Sequence, residues 1–214
     1  AMQIISGPLH APHIHFEAPP SQNVSSEMTQ FIEWFNRTAP NGAEPLPAIE
    51  RAAVAHLWFE TIHPFEDGNG RIGRAIAEKA LAQSLEAPTL TALAATINAH
   101  KKAYYLELHR ASETTRIDEW VGWFGSVVLE AQSRTLQNIR FLIEKTRFLD
   151  RLRGRLNSRQ EEALLRMLAE GPDGFQGGLS AQNYRSITGA ASATATRDLA
   201  DLVSLGALNR TGEN

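Results

Sequence analysis

The segment His63-Pro64-Phe65-Glu66-Asp67-Gly68-Asn69-Gly70-Arg71-Ile72-Gly73-Arg74 concentrates more chemistry than any other part of the chain. Glycines at 68, 70 and 73 let a backbone turn tightly into a helix and leave N–H groups aimed outward at its positive end, which makes an anion cradle. Asn69, between two glycines, tolerates unusual backbone angles and can turn its amide toward a phosphate. Arg71 and Arg74 share one helix face and present two guanidinium forks that match a polyphosphate. Asp67 is the hard oxygen ligand that Mg²⁺ prefers, an ion that keeps several waters and bridges phosphates. His63, at the loop entry, is the natural general base for a hydroxyl attacking phosphorus. A plain turn needs no histidine, acid, asparagine and two arginines side by side. Phe65 is read differently: its ring is expected to plug into the core and anchor the loop.

The loop has to be held by helices on both sides. Before it, Ile49, Ala52, Ala53, Ala55, Leu57, Trp58 and Phe59 cover most of the circumference of a helix over about 47–62, as in a centrally buried element. After it, Ile72, Ala75, Ile76, Ala80 and Leu81 describe a second, alanine-rich helix over about 70–85. Met28, Phe31, Ile32, Trp34 and Phe35 predict an amphipathic helix from Ser26, capped by Ser25 or Ser26 and ended by the proline-rich stretch 38–47. Further helices are expected over about 90–111, 117–150 and 158–169. Residues 1–25 are rich in proline and histidine, and the alternation His13-Ile14-His15-Phe16 suits a short strand or hairpin, read as a flap near 10–20.

The texture changes after Arg151-Leu152-Arg153-Gly154-Arg155, so two unequal units are expected, 1–150 and 151–214. In the second, short helices around 181–188 and 191–205 follow Gly171-Pro172-Asp173-Gly174 in an order that resembles a winged helix-turn-helix module with its wing truncated. Arg185, Arg197 and Arg210 are its candidate DNA contacts. A formal net charge of −3 supplies no general attraction to nucleic acid, which favours a dimerisation or partner-docking role for this unit over DNA binding. The chain has no cysteine, which excludes disulfides and thiolate metal sites and points to the cytoplasm. No apolar run approaches the roughly 20 residues that span a bilayer. The other histidines lack convincing metal-ligand spacing. Ala1-Met2 reads as a cloning remnant before an internal start, with a natural N-terminal segment missing.

The loop matches the Fic family pattern His-x-Phe-x-Asp/Glu-Gly-Asn-Gly-Arg-x-x-Arg at every specified position. The surrounding Met2–Pro8, His15–Pro20 and Ala55–Ile62 resemble the Fic subgroup with an extra N-terminal helical domain. The resemblance covers about 2–145. It implies an all-α fold, a Fic-type helical core with a short β-hairpin flap followed by the winged-helix-like unit. It also implies transfer of AMP from ATP to a Ser, Thr or Tyr hydroxyl of a target protein, with Mg²⁺. By this resemblance His63 is the base, Asp67 the Mg²⁺ ligand, and Gly68, Asn69 and Gly70 hold the α- and β-phosphates. Arg71 and Arg74 bind the β- and γ-phosphates. His13, Ile14, His15 and Phe16 form the flap that aligns the target segment, and Tyr104 and Tyr105 resemble a tyrosine pair beside the adenine. Ser112 stands where some relatives have an asparagine near the base. The family's inhibitory pattern Ser/Thr-x-x-x-Glu-Gly/Asn has no match in this chain, so inhibition is expected to reside in the missing N-terminal part or regulation to differ. Relatives often pair through their cores, so a homodimer is expected. The alternatives are removal of AMP, transfer of another phosphate-containing group, or a nucleotide-sensing DNA-binding regulator.

Overall fold

The computed structural model describes residues 3–6, 13–17, 19–89, 91–114 and 117–211. It divides into two units, Ala1–Thr135 and Leu136–Asn214. The division falls earlier than the expected border at 150, because Phe148 and Leu152 pack with the second unit's core.

The first unit opens with strands β1 (Gln3–Ser6) and β2 (His13–Glu17), paired antiparallel with a bulge between Ile4 and Ile5. Helix α1 (Ser21–Arg37) begins earlier than the expected Ser26. Pro20, at φ −52° and ψ 139°, takes the N-cap position, where its fixed φ leads into the first turn without a serine cap. Helix α2 (Ala48–Ile62) lies at the centre: Ala52, Ala53, Ala55, Leu57, Phe59 and Ile62 are all buried. It packs most extensively against α3 (Asn69–Leu85), which turns Gly73, Ala77 and Ala80 inward. Small residues on both facing surfaces let the two backbones approach closely, as interaxial distance follows side-chain size.

The expected single helix over 90–111 is two, α4 (Leu93–Ala99) and α5 (Lys101–Glu113), broken at His100, whose φ of −103° is not helical. Helix α6 (Asp118–Leu152) then contributes Trp120, Phe124, Val127, Val128 and Ala131 to the same core. Trp120 Nε1 donates to the Ala53 carbonyl at 2.8 Å, which ties α6 to α2.

Arg51 is fully buried on α2. Its guanidinium donates to Phe35 O at 2.8 Å and to Thr38 Oγ1 at 3.3 Å, and sits 4.0 Å over the Phe35 ring. A buried charge needs such partners; with a further bond from Arg51 to Ala80 O on α3 at 3.5 Å, the arginine ties the C-terminal end of α1 to α2 and α3.

The second unit packs α7 (Ser158–Leu168), a short 3₁₀ turn (Gly171–Asp173), α8 (Ala181–Thr188) and α9 (Ser192–Ser204) around Leu152, Leu164, Tyr184 and Leu202. Asn157 and Gln160 form a reciprocal capping box at the start of α7. Asp198 accepts from Arg159 Nε (2.9 Å), Tyr184 Oη (2.9 Å) and Asn157 Nδ2 (3.1 Å), which joins all three helices at one buried carboxylate. The Arg159 hydrogen bond, with those of Tyr184 and Asn157, holds this carboxyl below the usual aspartate range. Among the described residues no strand follows α9.

Candidate active site

Helix α2 ends at His63, which takes the left-handed conformation at φ 49° and ψ 57° while its N–H still donates to Phe59 O at 3.0 Å. Only two non-glycine residues among those described have positive φ, His63 and Glu86. For an L-residue this conformation is disfavoured by roughly 1–2 kcal/mol. The surrounding helices enforce it, and it turns the chain out of α2 into the loop.

The loop is closed by one side chain. Asn69 Nδ2 donates to Phe65 O at 2.6 Å, and Phe65 N donates to Asn69 Oδ1 at 3.0 Å, with Asn69 only 3% exposed. Two expectations change. The Asn69 amide is turned inward, with both of its polar atoms bonded to the Phe65 backbone. The Phe65 ring is 47% exposed and, among the described rings, meets only Phe59, tilted at 42° with centroids 6.3 Å apart, so the anchor is Asn69 and not the phenylalanine.

Gly68, at φ 91°, is the N-cap of α3 and has no Cβ that could clash in that region. No side chain caps this end, and no acid lies in the first turn of α3, so the N–H groups of the turn are presented at the positive end of the helix. Beside it, Asp67 accepts from Gly68 N at 2.6 Å and from Arg71 Nη2 at 3.0 Å. The Asp67 and Arg71 side chains are 91% and 73% exposed. A pair so exposed contributes at most about 1 kcal/mol and separates readily when either partner finds a ligand. Among the described residues no group of three or more His, Asp or Glu converges as a metal cage. A single exposed carboxylate next to a phosphate cradle suits Mg²⁺, which takes one or two protein carboxylates and completes its shell with phosphate oxygens and water.

Beneath the loop lies a polar cluster that sequence reasoning missed. His56 and Glu60, one turn apart on α2, are 0% and 6% exposed. The His56 ring stacks on Trp120 (6.0 Å, 11°) and Phe124, and its Nε2 lies 3.1 Å from Tyr104 Oη. Burial pulls the His56 imidazole down to about 4, and it pushes the Glu60 carboxyl up to about 7, an effect that the nearby Arg74 partly offsets. The Tyr104 phenol is also pushed up, first by burial and then by Glu60. A side chain on Gly73 would begin 2.6 Å from Glu60 Oε1 and 3.0 Å from His56 Nδ1, so glycine is required there by close approach. The available signal was two polar residues at i, i+4 within the otherwise apolar run from Ala52 to Phe59 and its continuation to Ile62.

Of the expected adenine pair, Tyr104 is buried in this cluster at 5% exposure, its hydroxyl directed at His56. It cannot offer a ring face to a base. Tyr105 is 45% exposed and can. Ser112 Oγ is turned back onto the carbonyl of His109. His13, Ile14 and Phe16 take part in the β1–β2 pairing, and His15 lies between them on β2; the side chains of this segment are outside the described residues. Arg185 on α8, Arg197 on α9 and Arg210 are exposed in the second unit. Among the described residues no helix is long and apolar enough to cross a membrane.

Residues 5–81 match the model of the Fic/DOC family. Two proteins named protein adenylyltransferase fic-1, from Caenorhabditis briggsae and Caenorhabditis elegans, are each 30% identical over 89 residues, which is 42% of this chain and 16% of theirs. A probable protein adenylyltransferase of Aquifex aeolicus is 29% identical over 69 residues, 32% of this chain and 20% of that one. The matches therefore span a fifth or less of these relatives' lengths. Among solved structures, a Fic family protein from Desulfovibrio desulfuricans G20 aligns over 92% of this chain and 52% of its own, with TM-score 0.49 and 20% identity.

Proposed function

From the premise that this chain is a Fic family protein, we propose that it transfers AMP from ATP to a Ser, Thr or Tyr hydroxyl of a target protein. The observation that carries the reading is the uncapped start of α3, clamped by Asn69 and flanked by His63, Asp67, Arg71 and Arg74. Its N–H groups and Gly68–Gly70 backbone receive the α- and β-phosphates. Arg71, once released from Asp67, and Arg74 take the β- and γ-phosphates. His63 receives the proton of the target hydroxyl as its oxygen attacks the α-phosphorus. The bond from that phosphorus to the bridging oxygen breaks, and pyrophosphate leaves. Mg²⁺ held through Asp67 would neutralise charge on the phosphates. Strand β2, residues 13–17, is the proposed guide for the target, whose extended segment would add along its edge.

The test is intact mass of this chain and of candidate target proteins after incubation with ATP and Mg²⁺. A gain of one AMP that is lost in His63→Ala and on chelation with EDTA supports the reading. ATP binding without any modification would refute the transferase and favour a nucleotide-sensing role.

A further inference from the structure

A carboxyl that is 6% exposed, with an Oε1 that accepts no hydrogen bond, is costly, because desolvation of an acid is recovered only through a partner. Glu60 bears that cost at a particular place. Its Oε1 lies 2.6 Å from the point where a Gly73 side chain would begin and 3.8 Å from the corresponding point at Gly70. Arg74 Nη1 lies 3.2 Å from that same Gly70 point. The carboxyl therefore sits under the first turn of α3, on the inner side, while the guanidinium of Arg74 passes over the Gly70 edge. A side chain at Gly73 would displace the carboxyl, and one at Gly70 would crowd the guanidinium.

We propose that Glu60 is a positioning residue: with no direct ion pair between them, the charge of its buried carboxyl attracts the Arg74 guanidinium across the Gly70 edge and keeps it there, ready for the terminal phosphate of a nucleoside triphosphate. This rests on the reading of Arg74 as a phosphate contact. An arginine side chain has about 2 kcal/mol of rotamer entropy to lose on binding, and a fixed acid behind it removes part of that loss beforehand. The guanidinium has five N–H donors in a planar fork, so attraction on its inner side leaves outward donors for the phosphate.

The groups that face Glu60 are few. His56, a turn earlier on α2, is neutral at physiological pH because burial pulls it down to about 4. Tyr104 from α5 stays protonated, and Arg74 from α3 carries the positive charge that acts on the carboxyl. Burial pushes Glu60 up to about 7. It is thus ionised, and able to hold Arg74, on the alkaline side of neutrality, and it loses that hold as pH falls.

The test measures Kd for ATP and for AMP by calorimetry, at pH 8 and pH 6, in the full chain and its E60Q, R74Q and E60Q/R74Q variants. Coupling between sites is typically about 5- to 150-fold, and an acid acting through one arginine that it does not touch belongs at the low end. E60Q is expected to weaken ATP about fivefold at pH 8, to leave AMP unchanged because AMP does not reach Arg74, and to have little effect at pH 6. In the R74Q background E60Q should change nothing. A merely structural Glu60 would move AMP and ATP together at both pH values, and that result overturns the proposal. So does tighter ATP binding in E60Q, which would make Glu60 a competitor of the phosphate. If R74Q weakens ATP and E60Q does not, the proposal fails while the phosphate reading stands. If R74Q has no effect, the phosphate reading fails and the proposal with it. Should E60Q not fold, the ATP advantage of the unmodified chain over R74Q must shrink from pH 8 to pH 6; a constant advantage overturns the proposal.

Discussion

Two glycine-to-alanine substitutions in this chain should have opposite signs, and the difference tests the close packing beneath the loop. Gly73 and Gly122 both lie inside helices, α3 and α6. In a helix interior, alanine in place of glycine normally stabilises by about 0.5–1 kcal/mol through backbone entropy. Around Gly122 a new Cβ meets nothing within 4 Å, so Gly122→Ala should show that gain. At Gly73 the Cβ would stand 2.6 Å from Glu60 Oε1, 3.0 Å from His56 Nδ1 and 3.2 Å from His56 Cε1. The histidine cannot yield freely, because its ring lies between Trp120, Phe124 and Tyr104. Overpacking of this kind costs about 1–3 kcal/mol, so Gly73→Ala should be a net loss of roughly 0.5–2 kcal/mol once the entropy gain is subtracted. The assay is urea unfolding followed by tryptophan fluorescence. Trp34, Trp58, Trp120 and Trp123 all belong to the first unit, so the signal reports that unit alone. With a slope of about 1–3 kcal/mol/M, the two midpoints should separate measurably on either side of the parent chain. A Gly73→Ala variant as stable as Gly122→Ala would refute the claim that close approach demands glycine at 73.

Other outcomes follow from the same geometry. His63→Gly should be more stable than His63→Ala by about 1 kcal/mol, since only glycine enters the left-handed region without strain, while both lose activity by about 10²–10⁴-fold if His63 is the base; thermal unfolding and AMP transfer read the two effects separately. Asn69→Ala should cost about 1–3 kcal/mol by leaving Phe65 N and O without their partner, and should weaken ATP binding measured by calorimetry. Glu60 has its carboxyl pushed up to about 7 in the folded state, above an unfolded value near 4.3, so the folded chain holds the proton more firmly and its stability falls as pH rises between those values. E60Q should therefore gain stability relative to the parent chain from pH 5 to pH 8 in urea melts, and a constant difference would contradict the burial of the charge. Asp198 is shifted the other way: the stability it lends the second unit is present above the ordinary aspartate range and is lost as pH falls through its lowered value. Asp198→Asn should lower hydrogen-exchange protection of α7–α9 at neutral pH and flatten its loss in acid.

The helices framing the site were legible in the sequence because each carries a long apolar pattern that only one secondary structure can bury. The segments 47–62 and 70–85 correspond closely to α2 and α3. The loop residues were legible as a set. What sequence reasoning could not reach was which way individual side chains face. Asn69 took the anchoring role expected of Phe65 because an amide can serve either a phosphate or a backbone, and only the path of the loop decides. Tyr104 and Tyr105 are adjacent and chemically alike, yet helical geometry sends one into the core and leaves the other outside. Glu60 was passed over because an acid inside an apolar helix has no meaning until the glycines of another helix are seen against it. The early start of α1 and the break at His100 were missed because proline at a helix entry and a single non-helical φ leave little trace in periodicity.

The pair of hydrogen bonds between Phe65 and Asn69 turns this part of the chain into a closed ring of fixed size. Within such a ring composition is negotiable and number is not. Glu66 is exposed and makes room for many replacements, whereas one residue added or removed between Phe65 and Asn69 would leave the amide unable to reach both ends. The segment is tolerant of spelling and intolerant of length. A library that randomises position 66 should retain folded, nucleotide-binding members, and a library of single-residue insertions at the same place should retain none.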